Sequence, residues 1–118
     1  MNFKQLTVIV AGLVFSLGLG AAEIRHVATY DGHGVCEIVG EIKHSDAAKL
    51  SIISPKCGQV SVNSPGGSVD AALALGRVIR TNALNVMIDE EDRCDSSCAF
   101  LFVAGVNRTL AGVATVVV

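Results

Sequence analysis

A short apolar segment that runs into a Gly-Gly turn and then into an amphipathic helix is the feature that most constrains this fold. Small β-branched residues predict a strand over residues 60–62, and the NSPGG turn at 63–67 follows at once. From Ser68 the apolar residues recur at helical spacing, which predicts a helix that ends near Asn82. Strand, turn and helix in this order predict a crossover unit of an α/β fold.

The flanking segments extend the same alternation. The sequence predicts strands at 24–30, 35–42 and 84–88 and helices at 45–53 and 96–103. The first two strands are close enough to form a hairpin, Ser45 is a plausible cap of the first helix, and Pro55 ends that helix. The apolar segment 113–118 is predicted to be one of two things: an edge strand that needs a partner, or an aggregation hazard.

The first 22 residues have the pattern of an export signal. Lys4 precedes an apolar run over residues 6–19, and small residues follow, so we place cleavage after Ala22. An uncleaved membrane anchor is the alternative, but the run is shorter than the ~20 residues that a membrane span requires. Residues 23–118 then form one exported domain, periplasmic or secreted, and its 51% hydrophobic content favours a packed core over disorder.

Charge excludes some classes of function. The chain has a formal net charge of −2 and no basic patch, so nothing indicates a nucleic-acid partner. The acidic run 89–92 is interpreted as a solvated loop, since four consecutive acids cannot all face one cation. We therefore predict no metal and no cofactor.

Four cysteines in an exported chain indicate disulfides, which can pair in three ways. We prefer Cys36 with Cys57, which joins a strand to the loop before the next strand, and Cys94 with Cys98, which closes a short loop around Ser96. Zinc is the rival interpretation, but no further well-spaced cysteine or histidine lies nearby.

Two junctions carry residues suited to acyl-transfer chemistry. Gly66 and Gly67 follow a strand, where free N–H groups can form an oxyanion hole and a carbonyl can approach closely. Ser96 precedes an apolar helix, where its hydroxyl is placed as a nucleophile is. An ordinary turn and an ordinary helix cap are the structural alternatives.

The segments VNSPGGSVDAALALGRVIR and CDSSCAFLFVAG resemble the proteolytic subunit of Clp protease and the crotonase superfamily, especially exported Clp-like members. The resemblance extends from about residue 35 to 108 and implies part of a spiral of β-β-α units. It also implies Gly66 and Gly67 as the oxyanion hole and Ser96 as the nucleophile, with Ser97 as the fallback. A peptide or acyl substrate and a homo-oligomer are expected on the same ground, and a membrane is a partner only if the signal stays uncleaved.

The sequence differs from that family at the general base. The resemblance places a histidine shortly after the Arg108 segment, and this sequence ends at Val118 before one occurs, so the chain as written is expected to be truncated and inactive. Histidines earlier in the chain are assigned surface or structural roles, and the lysines do not match a serine–lysine dyad. These residues are His26, His33 and His44, and Lys43, Lys49 and Lys56. Arg93 cannot act as a base.

Three hypotheses follow from the sequence. The chain is a truncated exported Clp-like serine peptidase, a non-catalytic relative that binds carbonyl groups or assembles oligomers, or a plain structural domain.

Overall fold

The computed structural model describes residues 20–117. Over this range seven strands and three helices form. The strands are β1 Glu23–Tyr30, β2 His33–Val39, β3 Gln59–Asn63, β4 Asn85–Ile88, β5 Arg93–Asp95, β6 Arg108–Leu110 and β7 Thr115–Val117. The helices are α1 Asp46–Ile53, α2 Val69–Thr81 and α3 Cys98–Ala104.

A five-stranded sheet organises the domain, in the order β1-β2-β3-β4-β6. The β1–β2 hairpin is antiparallel, and the pairs from β2 to β6 are parallel. Helix α1 connects β2 to β3, α2 connects β3 to β4, and α3 lies on the path from β4 to β6. The predicted hairpin and the predicted α/β crossovers are therefore confirmed, and the architecture is mixed α/β.

The hydrophobic core lies on one face of this sheet. Alternate residues of the central strands are buried there, and the helices cover them with fully buried side chains such as Leu50, Leu75 and Leu101. The alternating residues of the opposite face remain partly open to solvent and include Glu37, Ser61 and Asp89. This period of two explains why the central strands were visible in the sequence.

Several predicted boundaries need correction. Strand β2 ends at Val39 rather than at residue 42, because Gly40 has φ +112° and turns the chain out of the strand. Helix α3 begins at Cys98 rather than at Ser96.

A second, small sheet was not predicted as such. Strand β5 pairs in parallel with β7, so residues 115–117 of the predicted edge segment find their partner inside the same chain. Strands β5 and β6 have only three residues each, too few for a periodic pattern to show.

Most of the predicted export signal, residues 1–19, lies outside the described residues. Among the helices of residues 20–117, none is long and apolar enough to cross a membrane.

Candidate active site

The Gly-Gly turn lies directly against the Ser96 loop. Gly66 has φ +103°, and a Cβ built on it would lie 2.8 Å from the Asp95 carbonyl oxygen and 3.0 Å from Ser96 Cβ. Backbone conformation and close approach thus both require glycine at this position. The turn that follows β3 and the junction that precedes α3 therefore meet in space.

Gly67 is fixed by a different neighbour. A Cβ on Gly67 would lie 2.2 Å from the Ile42 carbonyl oxygen, and its φ is +151°. Ile42 forms a bridge with this turn, since its N–H donates to Gly66 O at 2.8 Å and its carbonyl accepts from Ser68 N at 3.2 Å. The segment after β2 thus holds the turn in place.

Ser96 occupies a strained position between β5 and α3. Its φ is +56°, the left-handed region that a non-glycine residue adopts uncommonly and at a cost of about 1–3 kcal/mol. Its side chain is exposed, and its N–H donates to Val117 O at 2.5 Å. Strand β7 therefore helps to hold the serine in this conformation.

The two adjacent serines have different environments. Ser97 is buried, and its hydroxyl donates to the Gly67 carbonyl oxygen at 3.0 Å. The Ser96 hydroxyl forms no hydrogen bond within residues 20–117. Because the Ser97 hydroxyl is engaged and covered, Ser96 is the better candidate nucleophile of the two.

The backbone N–H groups that lack an acceptor are not the expected pair of Gly66 and Gly67. The Gly66 N–H donates to the Ser64 hydroxyl at 3.0 Å, so it is already satisfied. Across the described part of the chain, the N–H groups of Gly67 and Ser97 have no acceptor, and the Ser97 nitrogen lies 3.3 Å from the position of a Cβ on Gly66. Gly66 thus provides space, while Gly67 and Ser97 provide donors. The donor of Ser97 was missed because a backbone N–H carries no sequence signal of its own.

Both disulfides form in the preferred pairing. Cys36 joins Cys57 with a Cα–Cα distance of 5.6 Å, and Cys94 joins Cys98 at 5.1 Å, closing the loop that carries Ser96. Two disulfides are compatible with an oxidising, exported environment.

The acid next to Ser96 is paired with an arginine. Arg93 Nε donates to Asp95 Oδ2 at 2.8 Å, and this hydrogen bond, with the charge of Asp95, raises the pKa of Arg93. The second carboxylate oxygen, Asp95 Oδ1, is buried and has no hydrogen-bond partner within residues 20–117. Asp95 is therefore held on the Arg93 side of the loop.

No base contacts Ser96 within residues 20–117. His26 is exposed and lies 3.1 Å from the Thr29 hydroxyl, and His33 and His44 are also exposed. None of these histidines, and none of the described lysines, forms a hydrogen bond with the Ser96 side chain.

The acidic loop lies at the end of β4. Ser61 donates a short hydrogen bond to the Asp89 carboxylate. Burial, and then the charge of Asp89, raises the pKa of Asp92. Within residues 20–117, no group of three histidine, cysteine or acidic side chains is arranged to hold a metal ion.

The comparisons with family models and with curated proteins found no relative. No protein-family model matches the sequence, and no curated protein is significantly similar to it.

Proposed function

We propose that this chain carries the nucleophile of an exported Clp-like serine hydrolase, and that Ser96 is that nucleophile. The observation that carries the proposal is the exposed Ser96 hydroxyl, held in a left-handed turn beside two backbone N–H groups without acceptors. An ordinary helix cap explains neither the strain at Ser96 nor the close approach of Gly66.

The geometry supports acyl transfer by the following steps. Ser96 Oγ attacks the carbonyl carbon of a peptide or ester and loses its proton to a general base. The carbonyl π electrons move to oxygen, and the N–H groups of Gly67 and Ser97 stabilise the oxyanion that forms. The protonated base then gives its proton to the leaving nitrogen or oxygen, so that the intermediate collapses, expels the amine or alcohol and leaves an acyl group on Ser96. Water hydrolyses this ester, which releases the acid and restores the Ser96 hydroxyl.

The carboxyl end of strand β7 lies close to Ser96. The strand runs parallel to β5, with Asp95 opposite Val117. The resemblance to the Clp family implies a histidine as the general base, and the same resemblance supports the spiral of β-β-α units and a homo-oligomer.

A non-catalytic domain that binds carbonyl groups is the second candidate. It is favoured by the lack of any described base in contact with Ser96. Such a domain would use the same donors of Gly67 and Ser97 to hold a peptide carbonyl, without a covalent step.

Chemical rescue by imidazole tests the proposal. The disulfide-bonded chain is incubated with a fluorophosphonate probe, with and without imidazole. Imidazole serves as the general base, because no base contacts Ser96 within residues 20–117. The probe loses fluoride as Ser96 Oγ bonds to phosphorus, and peptide mass spectrometry locates the adduct. We expect imidazole to accelerate labelling of Ser96.

Two variants serve as controls. Ser96→Ala should abolish the imidazole-dependent labelling, and Ser51→Ala, which removes an exposed serine on α1, should leave it unchanged. Labelling that survives in Ser96→Ala would refute the nucleophile assignment. An unlabelled chain that still binds a peptide, with binding weakened when Gly67 is changed, would favour the second candidate.

A further inference from the structure

A fully buried carboxylate lies at the start of α1, and it has no part in the proposed chemistry. Asp46 is 0% exposed. Its Oδ2 accepts from Lys43 N at 2.8 Å and from Ala22 N at 3.4 Å, whereas Oδ1 has no hydrogen-bond partner within residues 20–117. A buried carboxylate with an open oxygen is costly unless a cation or a donor satisfies it.

The nearby lysine satisfies this group only in part. Lys49 Nζ lies 3.7 Å from Asp46 Oδ1, beyond hydrogen-bond distance, and its side chain is 44% exposed. The same ammonium donates to the Ala22 carbonyl oxygen at 3.3 Å. Asp46 and Lys49 therefore hold the backbone of Ala22 from both sides.

Ala22 belongs to the folded domain. Its side chain is 1% exposed and is part of the hydrophobic core, and its Cα lies 3.5 Å from the position of a Cβ on Gly40. Cleavage after Ala22, as the sequence predicted, would remove this buried residue and one of the two donors to Asp46. Gly20, by contrast, is exposed, and Ala21 is half-buried.

We propose that export processing cuts the bond between Ala21 and Ala22, and that Asp46 binds the new α-ammonium group of Ala22. A signal peptidase adds water across this peptide bond, so that Ala21 leaves with a carboxylate and Ala22 keeps the amine, which is protonated. The ammonium has three N–H donors where the amide had one, enough to reach both oxygens of Asp46. Ala21 supplies the small residue directly before the cut, and Leu19 stands at the first position of the usual A-x-A pattern. The inference rests on the export that is part of the proposed function.

The first test reads the processing site. The full precursor is expressed in a bacterium that exports it, and the protein recovered outside the cytoplasm is analysed by N-terminal sequencing and intact mass. We expect a chain that begins at Ala22. A chain that begins at Glu23 or at any other residue, or one that retains Met1, overturns the inference.

The second test measures the charge of the new terminus. Chains that begin at Ala22 are compared in urea unfolding with the same chains after N-terminal acetylation, which keeps the alanine and one N–H but removes the positive charge. We expect acetylation to raise the unfolding equilibrium constant by roughly tenfold or more. Equal stability of the free and acetylated chains overturns the binding role of Asp46.

Matched variants locate the effect. Asp46→Asn should remove most of the difference between free and acetylated chains, whereas Asp70→Asn, which changes the first-turn acid of α2, should preserve it. A full difference that persists in Asp46→Asn also overturns the inference. Imidazole-dependent labelling of Ser96 in the same samples reports the proposed hydrolase separately, so failure of one does not imply failure of the other.

Discussion

Replacing Gly66 by alanine should weaken both the fold and the candidate site. The backbone of Gly66 has φ +103°, which an alanine adopts at a cost of about 1–3 kcal/mol. The added methyl group would also overlap the Asp95 carbonyl oxygen at 2.8 Å and Ser96 Cβ at 3.0 Å. Forcing extra volume into such a contact costs about 1–3 kcal/mol more.

The two terms together lower the free energy of unfolding by about 2–6 kcal/mol, a large share of the roughly 5–15 kcal/mol available to a domain. With a urea dependence of about 1–3 kcal/mol per molar, even a 2 kcal/mol loss shifts the unfolding midpoint by roughly 1 M. The assay is urea unfolding of the disulfide-bonded protein, with the midpoint and the slope fitted for each variant.

Gly58→Ala is the matched control. Gly58 has no positive φ, and a Cβ there would meet Gly34 O at 3.7 Å and His33 Cβ at 4.0 Å, which are ordinary contacts. Its free energy of unfolding should change by less than about 1 kcal/mol. The reasoning is refuted if Gly66→Ala is as stable as Gly58→Ala. The folded fraction of Gly66→Ala should also lose the imidazole-dependent labelling of Ser96, because the methyl group displaces that residue.

Three further perturbations test the packing, the cross-link and the charge of the domain. Leu75→Ala should cost about 2–5 kcal/mol of unfolding free energy, whereas the same change at Leu73, which is 38% exposed on the same helix, should cost far less; equal midpoints in urea would contradict this. Replacing Cys36 and Cys57 together by alanine opens a loop with a sequence separation of 21 and should cost about 3 kcal/mol, read by thermal unfolding against the oxidised parent. The pKa of Asp92 is raised in the folded protein, so the folded state binds this proton more tightly than the unfolded state does, and stability falls as pH rises from the unfolded pKa through the folded one. Asp92→Asn should therefore be more stable than the parent at neutral pH, with the advantage shrinking below the unfolded pKa of the carboxyl; a constant advantage at every pH would show that charge is not the cause.

The larger elements of this fold could be predicted because each shows its own period over enough residues. Helix α2 has thirteen residues, a Ser68 cap that accepts from Ala71 N, and an apolar face that packs into the core. The pairing of Cys36 with Cys57 was also predicted from the sequence. The export pattern indicated disulfides, and Cys36 lies on a predicted strand while Cys57 lies in the loop before the next predicted strand. Strands β5 and β6, with three residues each, were not predicted, because their pairing depends on partners distant in sequence.

The candidate site likewise has some features that the sequence predicted and others that only the tertiary structure shows. Local chemistry was sufficient to single out Gly66, Gly67 and Ser96, because turn residues and a strand-to-helix junction can be read from neighbouring positions. Only the tertiary structure decided that Ser97 is buried with its hydroxyl on Gly67 O, and that the open donors are the N–H groups of Gly67 and Ser97. A backbone N–H is the same in every residue except proline, so its freedom depends on which distant acceptor the fold brings to it. Sequence therefore determined the residue types and the order of the elements, and the packing of β7 and the Gly-Gly turn around one loop determined which backbone N–H groups have no acceptor within residues 20–117.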